Sequence, residues 1–166
     1  RTFGEVVDTL YNAKETNKSV SFPRVSPNGK FLMFTLSTYG NFSIWHKDAD
    51  LYLLHLADKK YTPLTTLNSN DVESYHSWSS NGRWVVFSSR RDDGLYTRPY
   101  IAFIDENGNP HKPFLLPQQE KEHYSMLMKS FNIPEFITGE VKTDAYELSR
   151  TAKEEKGIDV TFAGIQ

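Results

Sequence analysis

The sequence predicts a protein that is mainly all-β: two four-stranded antiparallel units, a fragment of a third, and a C-terminal helix. Three observations carry this. First, a strand, an Asn-Gly turn and a second strand occur twice, around Asn28-Gly29 and Asn81-Gly82, with Gly29 to Gly82 and Phe34 to Phe87 each 53 positions apart. Second, the strand after each turn is apolar on both faces. Trp84 and Val86 alternate with Val85 and Phe87, and a strand buried on both sides belongs inside a stack of layers. Third, aromatic residues make up 14% of the chain within a hydrophobic total of 38%, alongside 9 Gly and 8 Pro. That balance favours turn-rich sheets over a helical bundle.

Taken in order, residues 1–19 read as a packing arm or the end of a preceding unit. Val6, Val7, Leu10 and Tyr11 fall at helical spacing within Gly4–Ala13, which reads as a helix, while the Val-rich content also permits a strand. Residues 20–35 then give the first hairpin. Asn28-Gly29 is expected to close it as a two-residue turn with φ > 0 at both central positions. Ser21-Phe22 corresponds to Ser74-Tyr75 at the same offset of 53. Asp50–Leu56 corresponds to Arg98–Ile104, with Tyr52 and Tyr100 48 apart, so the loop around 39–49 is five residues longer than its counterpart around 92–97. Tyr61–Thr65 and Lys112–Leu116 each contain a proline, which cannot donate to a ladder, and read as edge strands. Four antiparallel strands running from a buried inner strand to a proline-bearing edge make a β-propeller blade, and a fixed period is the mark of a repeat architecture.

A third unit starts at Lys129–Phe136, aligned by placing Ser130 56 positions after Ser74, but no Asn-Gly hairpin follows. Thr143-Asp144 reads as an N-cap, Ala145–Lys156 as a helix ended by Gly157, and Ile158–Phe162 as a short strand. The expected division is therefore 1–19, a repeat region 20–141 (units 20–72, 73–128 and a partial 129–141), and 142–166. Trp78 and Trp84 are expected in the core between units, and Tyr124–Met128 is expected to pack under the third. Two units cannot close a ring, so the helix at 145–156, the N-terminal segment or a second chain is expected to cover the exposed faces.

Pro23-Arg24-Val25-Ser26-Pro27-Asn28-Gly29-Lys30-Phe31-Leu32-Met33-Phe34 resembles the repeat of the TolB-type (WD40-like, PD40) β-propeller family, whose signature runs Pro-x-x-Ser-Pro-Asp-Gly-(Lys/Arg)-x-apolar-x-Phe. His76–Phe87 is the second copy, with His76 and Ser80 in place of the prolines and Asn in place of Asp in both copies. The resemblance covers 20–117 well and 129–136 weakly. It implies a propeller of about six blades in the complete protein, a periplasmic or otherwise extracytoplasmic bacterial location, and a role as an interaction platform. The chain opens on Arg1 rather than Met and shows no signal peptide, so a processed product or a piece of a longer protein is expected.

A formal net charge of −2 gives no electrostatic footprint for nucleic acid. The absence of cysteine removes disulfides, thiolate zinc sites and c-type haem attachment from this sequence, and no cofactor is expected. No apolar run approaches the roughly 18 residues of a membrane span. His46, Asp48 and Asp50 lack the turn glycine of a calcium loop, so no metal site is expected, and Asp50 is expected to start a strand and bond nearby amides. Ser77 or Ser79 beside His76 has no nucleophile elbow, so no catalytic residue is expected.

The residues that best suit a binding groove are planar cations interleaved with rings: Trp45, His46, His76, Arg90, Arg91, Tyr96 and Arg98. They could hold a glycan or an anionic peptide by stacking and paired Arg hydrogen bonds. The competing structural reading pairs Arg90 and Arg91 with Asp92, Asp93 or Glu73 on a solvated surface. The expected function is a non-catalytic protein-interaction scaffold that binds a peptide or glycan and can associate through exposed blade edges. The alternative is a propeller accessory domain of a larger prolyl-oligopeptidase-like hydrolase whose catalytic domain lies elsewhere.

Overall fold

A computed structural model describes residues 7–154 and 157. The chain splits into two compact units, Arg1–Phe136 and Ile137–Gln166. The first unit holds two four-stranded antiparallel sheets. One contains β1 (Ser19–Val25), β2 (Phe31–Ser37), β3 (Asp50–His55) and β4 (Tyr61–Pro63); the other contains β5 (Glu73–Trp78), β6 (Trp84–Ser89), β7 (Arg98–Phe103) and β8 (Phe114–Leu115). Strands pair in chain order within each sheet. Pro63 lies on the β4 edge, and β8 is a two-residue edge just after Pro113.

The hairpin turns differ from the expected two-residue form. Gly29 N–H donates to Ser26 O and Ser26 N–H to Phe31 O, both at 2.9 Å. Pro27 and Asn28 are therefore the centre of a four-residue turn, and only Gly29 (φ +69) is left-handed. Asn28 contributes its side chain instead, accepting from Ser26 Oγ at 2.7 Å and from Lys30 N–H at 3.0 Å. Ser79, Asn81, Gly82 (φ +66) and Arg83 repeat every part of this.

Both inner strands carry a bulge at the same place, between Ser21 and Arg24 in β1 and between Ser74 and Ser77 in β5. The residues responsible are Phe22 (φ 52) and Tyr75 (φ 51). Ile133 has the same φ of 52, and like Phe22 it precedes a proline. A matched hydrogen bond fixes the alignment: Glu73 N–H donates to Ala49 O at 2.8 Å, and Phe131 N–H donates to Thr97 O at 3.0 Å. The third unit is thus offset from the second by 58 positions, not the 56 implied by the shared Ser-aromatic pair. Backbone conformation marks the position, and the side-chain match misleads. Residues 129–136 form no strand among the described residues.

One core joins the sheets. Phe31, Met33, Leu51, Leu53, Leu64 and Leu67 from the first meet Val85, Phe87, Tyr100, Ala102 and Ile104 from the second, with Trp78 and Leu115 packed at the margin. Each fully buried large apolar side chain here contributes about 1.5–3 kcal/mol. On the other face of the first sheet, Phe34, Leu36 and Leu54 are covered by Leu10 and Tyr11, so the N-terminal segment does shield that face. Trp84 departs from the core expectation. It is 36% exposed and meets Phe103 and Phe114 edge-on, because it points away from the first sheet.

The expected N-terminal helix is not formed over residues 7–12; Gly4–Val6 lie outside the described residues. Asn12 instead caps a single turn, α1 (Ala13–Thr16), accepting from Lys14 N–H, and an N-cap has non-helical backbone that stops a helix passing through it. In α2 (His123–Met126), Tyr124 packs edge-on to Phe131, whereas Met126 and Met128 are exposed.

In the second unit, Asp144 caps α3 (Ala145–Lys153) by accepting from Glu147 N–H at 2.7 Å. The helix ends at Lys153, before the expected Lys156, since acidic residues from Glu154 onward oppose the helix dipole. The expected strand at 158–162 lies outside the described residues.

Candidate functional site

The long loop after β2 is folded back by its own residues. Thr38 N–H donates to Asp48 Oδ2 at 2.6 Å, and slight burial notwithstanding, this bonding holds the Asp48 carboxyl below its usual range. Asp48 therefore does the amide bonding expected of Asp50. Asp50 does open β3, and its carboxyl is pushed up to about 6, first by burial and then by the Glu73 charge.

A short 3-10 turn, Ser43–Trp45, aims the loop. Ser43 Oγ lies 2.6 Å from Ser74 Oγ on β5, and Ile44 is buried with Ala49 and Val72. With its two predecessors anchored, Trp45 turns outward and is 71% exposed.

Arg90, one residue past β6, lies under this indole at 5.6 Å from the ring centroid. It is buried, with Nε and Nη2 each 3.1 Å from Asp71 Oδ1. Asp71 is not among the partners expected from sequence, since the two are 19 positions apart and no local pattern joins them. Beyond Arg90 the loop closes with Gly94 N–H donating to Arg90 O at 2.8 Å. Asp93 Oδ1 accepts from the N–H groups of Leu95 and Tyr96, both at 2.8 Å. These amides, against a small burial penalty, hold the Asp93 carboxyl down, and they place Leu95 at the rim, 68% exposed.

The result is a cavity of about 280 Å³ lined by Phe42, Ile44, Trp45, Tyr75, Arg90, Leu95, Thr97, Ser130 and Asn132. Phe42, Trp45 and Leu95 form an exposed apolar rim. Thr97, Ser130 and Asn132 make the polar wall. Thr97 Oγ1 donates to Phe131 O at 2.9 Å, which ties that wall to the second sheet. Arg90 is neutralised by Asp71, so the cavity suits an uncharged ring or side chain with polar edges better than an anion.

Of the residues expected to line a groove, Trp45 and Arg90 share this cavity, and the others lie elsewhere. His46 packs edge-on to Tyr39. His76 is buried with Nε2 3.0 Å from Met33 O, and burial pushes its pKa down to about 4. Arg91 Nη2 is 3.0 Å from Glu73 Oε1, the one Arg–acid pair of the structural reading found at Arg90 or Arg91. Glu73 is itself fully buried, which raises its pKa against bonds from Ser69, Ser89 and Arg91. Arg98 runs inward, donating to Tyr124 O at 2.7 Å and Lys129 O at 2.9 Å, with Tyr96 and Tyr124 stacked on it. The rim residues Phe42 and Leu95 escaped the sequence reading. Each is a large apolar residue inside a polar loop, which is the signal that marks them.

Among the described residues, no group of three or more His, Asp or Glu stands close enough to hold a metal ion. No described helix is long and apolar enough to cross a membrane. No family model matches the chain, and no curated protein matches its sequence.

Proposed function

We propose that this chain is a non-catalytic interaction module of the TolB-type β-propeller kind, working outside the cytoplasm, and that its Trp45–Arg90 cavity binds a peptide side chain or a sugar ring. The observation that carries the binding reading is the exposed indole of Trp45, held over a buried and charge-neutralised Arg90 at the mouth of a cavity of side-chain size. A ring on such a platform gains stacking area, while Ser130 and Asn132 offer hydrogen bonds at its edge. The propeller reading is supported by the repeated bulge, turn and register of the two sheets and by their shared core.

Titration of the protein with neutral bacterial glycans and peptides, read by tryptophan fluorescence and calorimetry, tests this. Trp45→Ala and Leu95→Ser should each weaken binding at least tenfold while leaving the melting temperature unchanged. No binding by the parent, or equal binding by Trp45→Ala, removes the reading.

A further inference from the structure

The outward face of the second sheet is the repeat counterpart of a face that the molecule elsewhere buries. Phe31 and Met33 on β2, 4% and 0% exposed, lie against the second sheet. Their counterparts 53 positions on are Trp84 and Val86; Val86 is buried at 5%, but Trp84 is 36% exposed beside Phe114 at 45%, so the open part of the face lies at these two rings. This apolar face has no matching sheet against it among the described residues.

The second observation concerns the backbone alongside it. Residues 131–136 begin as β5 begins: Phe131 is fixed to Thr97, and Ile133 takes the left-handed φ of Tyr75. In β1 and β5 the same stretch continues into a ladder with the following strand. Residues 132–136 make no backbone–backbone hydrogen bond with described residues, and Ile133 and Phe136 are 56% and 38% exposed. Among the described residues, a segment laid out like the start of an inner strand thus has no ladder partner, beside a face with no sheet against it. An unpaired edge of this kind templates an added strand, with backbone bonds giving affinity and alternate side chains giving selection.

We propose that residues 131–136 and the outward face around Trp84 and Phe114 form an acceptor for an extended strand of a protein partner, one carrying the pattern Gly-x-x-apolar-x-Phe. The interface already inside the chain defines the occupant's chemistry. Val85 and Phe87 of β6 fill the face presented by Phe31, Met33, Leu51 and Leu53, while β6 pairs with β5 through Ser77↔Val86 and Trp78↔Val85. With the offset of 58, the incoming residues equivalent to Val86 and Val85 oppose Glu135 and Phe136. The surface is distinct from the Trp45–Arg90 cavity, and its test reads separately.

The probe is a fluorescein-labelled peptide of sequence Gly-Arg-Trp-Val-Val-Phe-Ser-Ser, copied from residues 82–89, titrated into the full chain and read by anisotropy. Saturable binding is expected, with slowed amide exchange at 132–136. A peptide with Ser at both apolar contact positions, and one with alternate backbone amides methylated, should each bind at least tenfold more weakly. Phe114→Ser and Trp84→Ser in the protein should do the same, each measured at a temperature where circular dichroism shows the variant still folded. No binding, equal binding of the methylated peptide, or exchange protection confined to another segment overturns the proposal. So does sedimentation of the chain alone as a dimer that Trp84→Ser dissociates, because the occupant would then be a second copy.

Discussion

Phe22 and Tyr75 pack against each other with ring centroids 4.6 Å apart and planes tilted by 55°, and both stand at a left-handed φ, 52 and 51. Each is the bulge residue of its inner strand, so the contact locks the two sheets at equivalent points. A left-handed backbone costs an L-residue about 1–2 kcal/mol, and more where the side chain branches at Cβ. Tyr75→Leu and Tyr75→Ile remove the same ring and differ only in branching. The Ile variant should therefore be the less stable by about 1 kcal/mol, measured by urea denaturation. Equal stabilities would mean that the backbone relaxes at this position once the ring is gone.

Two titrating groups should pull the pH profile of stability in opposite directions. Burial holds His76 down near 4, against 6.5 when free, and its Nδ1 has no partner among the described residues. Between those values the unfolded chain binds a proton that the folded chain refuses. Stability from this group is complete above 6.5 and falls by up to about 3 kcal/mol as pH drops towards 4. Asp50 is the reverse case, pushed up to about 6 from 3.8. Its contribution is complete below 3.8 and is lost as pH rises through 6. The parent should show a shallow profile between 4 and 6.5. Asp50→Asn should make stability rise steeply with pH, and His76→Gln should make it fall. Parallel profiles for the parent and both variants, followed by urea denaturation across this range, would rule out the linkage.

The sheets were legible because their signals are local. The alternation in Trp84–Phe87 and the 53-residue spacing follow from strand period and repeat length, and both survive in the structure. The third unit's register was not legible. Ser130-Phe131 copies Ser74-Tyr75 in letters, while the equivalent backbone conformation sits at Ile133. The cavity was half legible: Trp45 and Arg90 stand out as ring and planar cation, but Asp71, which fixes Arg90, is brought in by tertiary folding. Arg91 and Arg98 looked like the same kind of surface residue as Arg90. They are consumed by buried partners, since a guanidinium can satisfy carbonyls and carboxylates that no other side chain reaches.

Arg91 should matter for stability far more than a loop arginine normally does. Its guanidinium lies 4.5 Å from the Tyr100 ring centroid, and it bonds Glu73 and Ser89 while also donating to Leu67 O. Arg91→Ala leaves the Glu73 carboxylate fully buried without its cation, at a cost of about 3–5 kcal/mol. Adding Glu73→Gln to that variant should recover a measurable part of the loss, because the unpaired charge is gone. Denaturation midpoints of the two single variants and the double variant give the coupling. Simple additivity would show that the pair is not energetically linked.

The turn after β7 reaches across to the first sheet, and Gly108 is the residue that lets it. Asp105 Oδ1 accepts from Asn107 N–H at 2.9 Å and from Asn109 N–H at 2.8 Å, which tightens the turn. Gly108 then stands at φ +87, where an added Cβ would lie 2.9 Å from both Leu53 Cδ2 and Phe31 Cε1. Gly29 is also left-handed, at φ +69, yet an added Cβ there would meet nothing within 4 Å. Gly29→Ala should cost only the backbone strain, about 1–2 kcal/mol. Gly108→Ala should cost that and a further 1–3 kcal/mol or so for overpacking the shared core. Urea denaturation of the two variants side by side decides it. If they lose equal stability, the core between the sheets has room that the close contacts at Gly108 deny.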